Sequence, residues 1–112
     1  MKQVLATEQA PAAIGPYSQG IAAGETVYVS GQLPLDPATG AFPEGIAAQT
    51  AQSLKNIQAI LAQQGMTLAN VVKTTVFLAD INDFAEMNKV YSEFFTQPYP
   101  ARSAVQVAKL PK

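Results

Sequence analysis

Cysteine and histidine are absent from this 112-residue chain, and arginine occurs once, at Arg102. Without cysteine there are no disulfides, thiol nucleophiles or zinc–thiolate sites, and the redox compartment stays open. Without histidine as well, the Ser-His-Asp, Cys-His and H-E-x-x-H constellations are excluded, and a transition-metal site would have to rely on oxygen ligands. Charged residues are also scarce, at 13% against the usual quarter or so. So charge-poor a surface is expected to include a subunit interface. The net charge of −1, from seven basic and eight acidic residues, provides no electrostatic footprint for nucleic acid or an anionic membrane. The N-terminus has no basic segment followed by an apolar run. The uncharged stretch from Gln9 to Gly24 is interrupted by Pro11, Gly15, Pro16 and Gly20. No signal peptide or membrane span is expected, and the expected location is cytoplasmic.

What is present fits one domain with a single core of radius about 13 Å. Lys2 to Thr7 reads as an edge strand leading into a Pro/Gly-rich loop, Ala10 to Gly20. Ile14 and Tyr17 are apolar residues among turn formers, so this loop is expected to pack down and fix Tyr17. Tyr17 then either serves a site or anchors the loop through its hydroxyl. Ile21–Ala23, a Gly24-Glu25 turn and Thr26–Gln32 form a predicted hairpin. Gly31 is expected to mark a bulge or a close backbone approach. A tight turn is expected from Asp36 to Gly40.

From Ile46 to Gln64 the apolar period changes to three and four, which predicts a helix stopped by Gly65. Thr67 is placed to cap a short turn. Val71–Leu78 is rich in β-branched residues and predicts a central strand. Asp80-Ile81-Asn82-Asp83 supplies N-cap candidates, with Asp83 and Glu86 at capping-box spacing, before a second helix whose stripe is Phe84, Met87, Val90, Tyr91, Phe94 and Phe95. Asn88 falls at the edge of that stripe, where its amide would serve a ligand or a backbone carbonyl. A last strand, Ala101–Val107, follows the Pro98-Tyr99-Pro100 turn. The element order predicts an α+β domain with two helices on one face of a mixed sheet.

Arg102 stands at the start of that last strand behind rigid neighbours. A guanidinium matches a carboxylate bidentately, so Arg102 is a candidate anchor for a small organic acid. Pairing with a nearby Asp or Glu on the surface is the plain alternative.

Gly15-Pro16-Tyr17-Ser18-Gln19, Val27 to Pro34, Met87-Asn88-Lys89-Val90-Tyr91, and Pro100-Ala101-Arg102-Ser103 with Lys109 to Lys112 together resemble the RidA family, also called YjgF, over nearly the whole chain. The resemblance implies a homotrimer of chorismate-mutase-like subunits with ligand clefts between neighbours. It implies hydrolysis of reactive enamine and imine acids, such as 2-aminoacrylate and 2-iminobutanoate, to 2-keto acids and ammonia. Pyridoxal-phosphate-dependent dehydratases release these acids. Arg102 is then the group that grips the substrate carboxylate. The main-chain N–H of Ala104 is the donor to the imine nitrogen or ketone oxygen, and Tyr17, Ser30, Gly31 and Asn88 line the cleft. Neither cofactor nor metal is implied.

Relatives usually continue past the Leu-Pro-Lys segment into a further strand carrying a glutamate that holds the attacking water. This chain ends at Lys112, so that strand is expected to be missing from the domain spanning residues 1–112. If general-base help from the glutamate is needed, activity should be slower by about 10² to 10⁴-fold. If positioning dominates, most activity should remain. The alternative function is a non-catalytic trimer that binds small 2-keto acids. An RNA-acting role fits the charge balance poorly, and chorismate mutase activity would rest on shared architecture alone.

Overall fold

The computed structural model describes residues 1–112. The two-residue break at Gly24-Glu25 closes a hairpin because Gly24 takes φ 60°, a left-handed conformation that costs glycine little. It joins β2 (Gly20–Ala23) to β3 (Thr26–Val29), and β1 (Lys2–Leu5) pairs on the other side of β2, all antiparallel. Asp36 to Gly40 forms the expected turn, with the Gly40 N–H donating to the Asp36 carbonyl at 2.8 Å. Helix α1 (Ile46–Ala62) leads to β4 (Lys73–Leu78), and α2 (Phe84–Phe94) crosses over to β5 (Ala101–Gln106). Strands β4 and β5 are parallel, which requires a crossover of this kind.

The strands therefore form two sheets, an antiparallel triplet and a parallel pair, beneath one layer of two helices. Leu54 and Leu61 of α1 meet Met87 and Tyr91 of α2 in the main core, with Leu68, Leu78 and Phe95. Val27 and Val29 of β3 and Val76 of β4 pack beneath them. A smaller cluster of Leu5, Ala10, Ala22 and Ile60 ties α1 to β1 and β2.

Several local expectations shift. Helix α1 ends at Ala62 rather than Gln64. Its terminal carbonyls are taken in a Schellman closure, the Gly65 N–H on Ala62 at 3.1 Å and the Met66 N–H on Leu61 at 3.0 Å, with Gly65 at φ 67°. Thr67 does cap the next turn, accepting from the Ala69 N–H at 3.2 Å. Asp83 stands at the N-cap position of α2, but its side chain makes no capping hydrogen bond. A short helical turn, Ile81–Asp83, precedes the helix, and the other candidate, Asp80, caps that turn, accepting from the Asn82 N–H at 2.9 Å.

Strand β4 starts at Lys73 and pairs only with β5. Thr74, Val76 and Leu78 face the helices, whereas Phe77 on the other face is 55% exposed. Its apolar run thus covers a face that no part of this chain packs against. Gly31 marks neither a bulge nor a close approach, because the chain leaves the sheet after Val29 and a Cβ at Gly31 would meet nothing within 4 Å.

A close approach does exist at Gly20, where a Cβ would lie 2.8 Å from Ile60 Cγ2 and 3.3 Å from the Tyr28 carbonyl oxygen. Gly20→Ala is therefore expected to cost about 1–3 kcal/mol in urea unfolding. Adding Ile60→Leu, which removes the branched methyl, should restore part of that loss.

Candidate functional site

Residue spacing on α2 builds the first part of the site. Phe84, Asn88 and Tyr91 lie four and three residues apart and share one helix face, with Met87 and Val90 turned into the core. Below them, register places Arg102 of β5 directly beside Thr74 of β4, and alternation turns Arg102, half-buried, toward the helix layer. The Arg102 Nη1 donates to Asn88 Oδ1 at 2.7 Å. Its guanidinium carbon lies 4.7 Å from the Tyr91 ring centroid and 5.4 Å from that of Phe84. The Tyr91 hydroxyl is hydrogen-bonded to Thr74 Oγ1 at 2.8 Å.

Arg102 is thus held by an amide and two rings, none of them acidic. Asn88 occupies one donor of the guanidinium fork, and the remaining N–H groups are available to an external carboxylate. Two alternatives are thereby corrected: the Asn88 side chain holds Arg102 rather than a backbone carbonyl, and Arg102 is not paired with an Asp or Glu.

The backbone of β5 adds a donor. Ala101 and Val107 donate to the Val72 and Leu78 carbonyls at 3.0 Å each, so the odd-numbered amides of the strand point at β4. Alternation aims the Ala104 N–H at the opposite edge, where no strand pairs.

The second part of the site is an open depression of about 370 Å³ lined by Lys2, Pro16, Tyr17, Ser18, Tyr28 and Ser30, among others. The loop that forms it does not pack down through its apolar residues, since Ile14 is 80% and Tyr17 50% exposed. Gln19 holds it instead. Its buried side chain accepts from the Thr7 N–H at 2.7 Å and donates to the carbonyls of Thr7, Ala10 and Pro11 at 3.1, 3.3 and 2.7 Å. The Gln19 carbonyl accepts from the Ser30 N–H at 2.9 Å, and the Ser30 hydroxyl donates to the Ser18 carbonyl at 2.6 Å.

The structure therefore gathers Arg102 with Asn88, and Tyr17 with Ser30. Arg102, Asn88, Ala104 and Gly31 do not line the depression. No three acidic side chains converge in a metal-ligand arrangement, and no helix is long and apolar enough to cross a membrane. Sequence reading missed Gln19, Thr74 and the contact of Tyr91 with Arg102. The α2 spacing was a visible signal for the last of these, whereas the bonds of Gln19 follow only from the folded loop.

The chain matches the family described as Endoribonuclease L-PSP over residues 7–112. It is 53% identical to a 2-iminobutanoate/2-iminopropanoate deaminase of Salmonella typhimurium, covering 100% of this chain and 90% of that protein. A protein of the same name from Escherichia coli is 51% identical with the same coverage. Among solved structures, the YjgF gene product of Escherichia coli superposes with a TM-score of 0.94 at 51% identity, over 98% of this chain and 89% of that one. Escherichia coli TdcF with bound serine gives 0.94 at 46% identity over the same shares. The α+β arrangement, with two helices over an antiparallel and a parallel sheet, is the fold of these proteins. With matched positions running from the Tyr17 loop through Arg102 to the last residue, the chain belongs to the endoribonuclease L-PSP family, the RidA/YjgF family.

Proposed function

We propose that this protein hydrolyses reactive 2-enamine and 2-imine acids, such as 2-aminoacrylate and 2-iminobutanoate, to 2-keto acids and ammonia. The observation that carries this reading is Arg102, the single arginine, held by Asn88 and two rings with most of its fork unused. The deaminase names of relatives above 50% identity support it.

In this reading the Arg102 fork takes the substrate carboxylate, and the Ala104 N–H on the same strand donates to the imine nitrogen. The imine carbon, polarised by that hydrogen bond, is electrophilic, and an enamine reaches the same imine by taking up a proton at its β-carbon and losing one from nitrogen. Water adds to the imine carbon, the C–N bond breaks as the nitrogen leaves as ammonia, and the former water oxygen becomes the ketone. Catalysis is then mostly positioning and donor placement, without cofactor or metal. Tyr17, Ser30, Gly31 and Asn88 form the walls of the cleft.

We assign the clefts to a cytoplasmic homotrimer, in which a neighbouring copy supplies the walls that Arg102 lacks in its own chain. The outer sheet faces support this, because Val4 and Tyr28 flank Ile21 in one cross-strand row and Phe77 pairs with Val105 in another, all four outer residues exposed. Residues 1–112 make one RidA-like domain. The water-holding glutamate that the resemblance implies would belong to a further strand, and the outer strands of both sheets have unpaired edges that could take one.

Release of 2-ketobutanoate from 2-iminobutanoate, generated in situ by a threonine dehydratase, is expected to exceed the spontaneous rate. Arg102→Ala should lower kcat/KM by about 10²-fold, and Arg102→Lys by less, since it keeps the charge but not the fork. Keto-acid binding without turnover would identify a binder instead. Sedimentation should give a trimer for the wild type and a smaller species for Phe77→Glu, whose buried charge would have no partner.

A further inference from the structure

We infer that Tyr91 and Thr74 are positioning residues that set the plane of the Arg102 guanidinium and so aim its free edge at a carboxylate. The inference rests on the proposed role of Arg102, which it extends to residues that touch no substrate.

Tyr91 is buried, 6% exposed, and its ring is fixed from two sides. Phe95 lies against it with ring centroids 4.5 Å apart, and its hydroxyl is tied to Thr74 Oγ1 at 2.8 Å. Thr74 is the register partner of Arg102 across the parallel pair, so the strand that carries the arginine and the strand that fixes the ring are hydrogen-bonded neighbours. The guanidinium carbon sits 4.7 Å from the centroid of that ring. A cation over an aromatic face is attracted to it while its in-plane N–H groups stay free for a bidentate partner. Asn88 takes Nη1 and fixes rotation within the plane. Ring and amide together restrict the fork, and Nε and Nη2 keep their donors for a carboxylate. A lysine ammonium has no plane to set, so the Thr74–Tyr91 bond should matter only when residue 102 is arginine.

Because Arg102 is the only arginine, its Nε–H gives a single resonance, and its order can be read directly by NMR in the intact protein. Thr74→Val and Tyr91→Phe each remove one half of the hydroxyl bond and keep the packing. Each is expected to increase Arg102 side-chain motion and to raise KM for 2-iminobutanoate about two- to fivefold with kcat unchanged. The double variant should be no worse than either single one, because both break the same bond. In an Arg102→Lys background, Thr74→Val should leave KM unmoved. Unchanged Arg102 order in both single variants, or an equal KM penalty in the lysine background, would overturn the inference. If instead Arg102→Ala leaves turnover intact, the functional reading fails separately, and the NMR result still decides whether Tyr91 orders the guanidinium.

Discussion

The packing of α1 against α2 is the constraint on which the rest of this structure depends. Leu54 and Leu61 from one helix and Met87 and Tyr91 from the other form a layer that roofs two sheets sharing no strand pairing. Each sheet is too small to bury a core alone, and a two-stranded one is marginal in water. The helices join them because β3 supplies Val27 and Val29 and β4 supplies Val76 and Leu78 to the same apolar mass. Burying the α2 stripe inward also fixes what α2 offers at its margin, namely Asn88, Phe84 and the Tyr91 ring face against Arg102.

Much of this was legible in the chain. The change of period at Ile46 and the Gly65 stop delimited α1 to within two residues, and the α2 stripe marked the second helix. Arg102 stood out by being unique and by following a Pro-Tyr-Pro turn. Other features were not legible, for physical reasons. The run from Val71 to Leu78 suggested burial on both faces, but Phe77 and Val72 are exposed, because hydrophobicity alone does not say whether a face is covered by the same chain or by another. Asp80 and Asp83 were both cap candidates, and the choice of Asp80 followed only from the helical backbone beginning a turn earlier. Buried Asn56, fully enclosed and donating to the Leu33 and Leu35 carbonyls, was hidden among the polar residues of α1.

The site divides along the same line as the sheets. The parallel pair carries the cation and an outward-facing amide, and the antiparallel triplet carries the aromatic wall. Within one chain the Arg102 cluster and the Tyr17 loop therefore stand apart. Each half can then be rigid without the other.

That rigidity has a consequence for the Tyr17 loop. Gln19 spends its whole side-chain amide on the segment from Thr7 to Pro11, and Ser30 locks the backbone at Ser18. The entropy of ordering this loop is therefore lost when the chain folds, not when a small molecule arrives. A ligand only a few heavy atoms in size has little interaction energy to spare for arranging its own pocket. A loop fixed in advance draws none of a ligand's interaction energy into its own ordering.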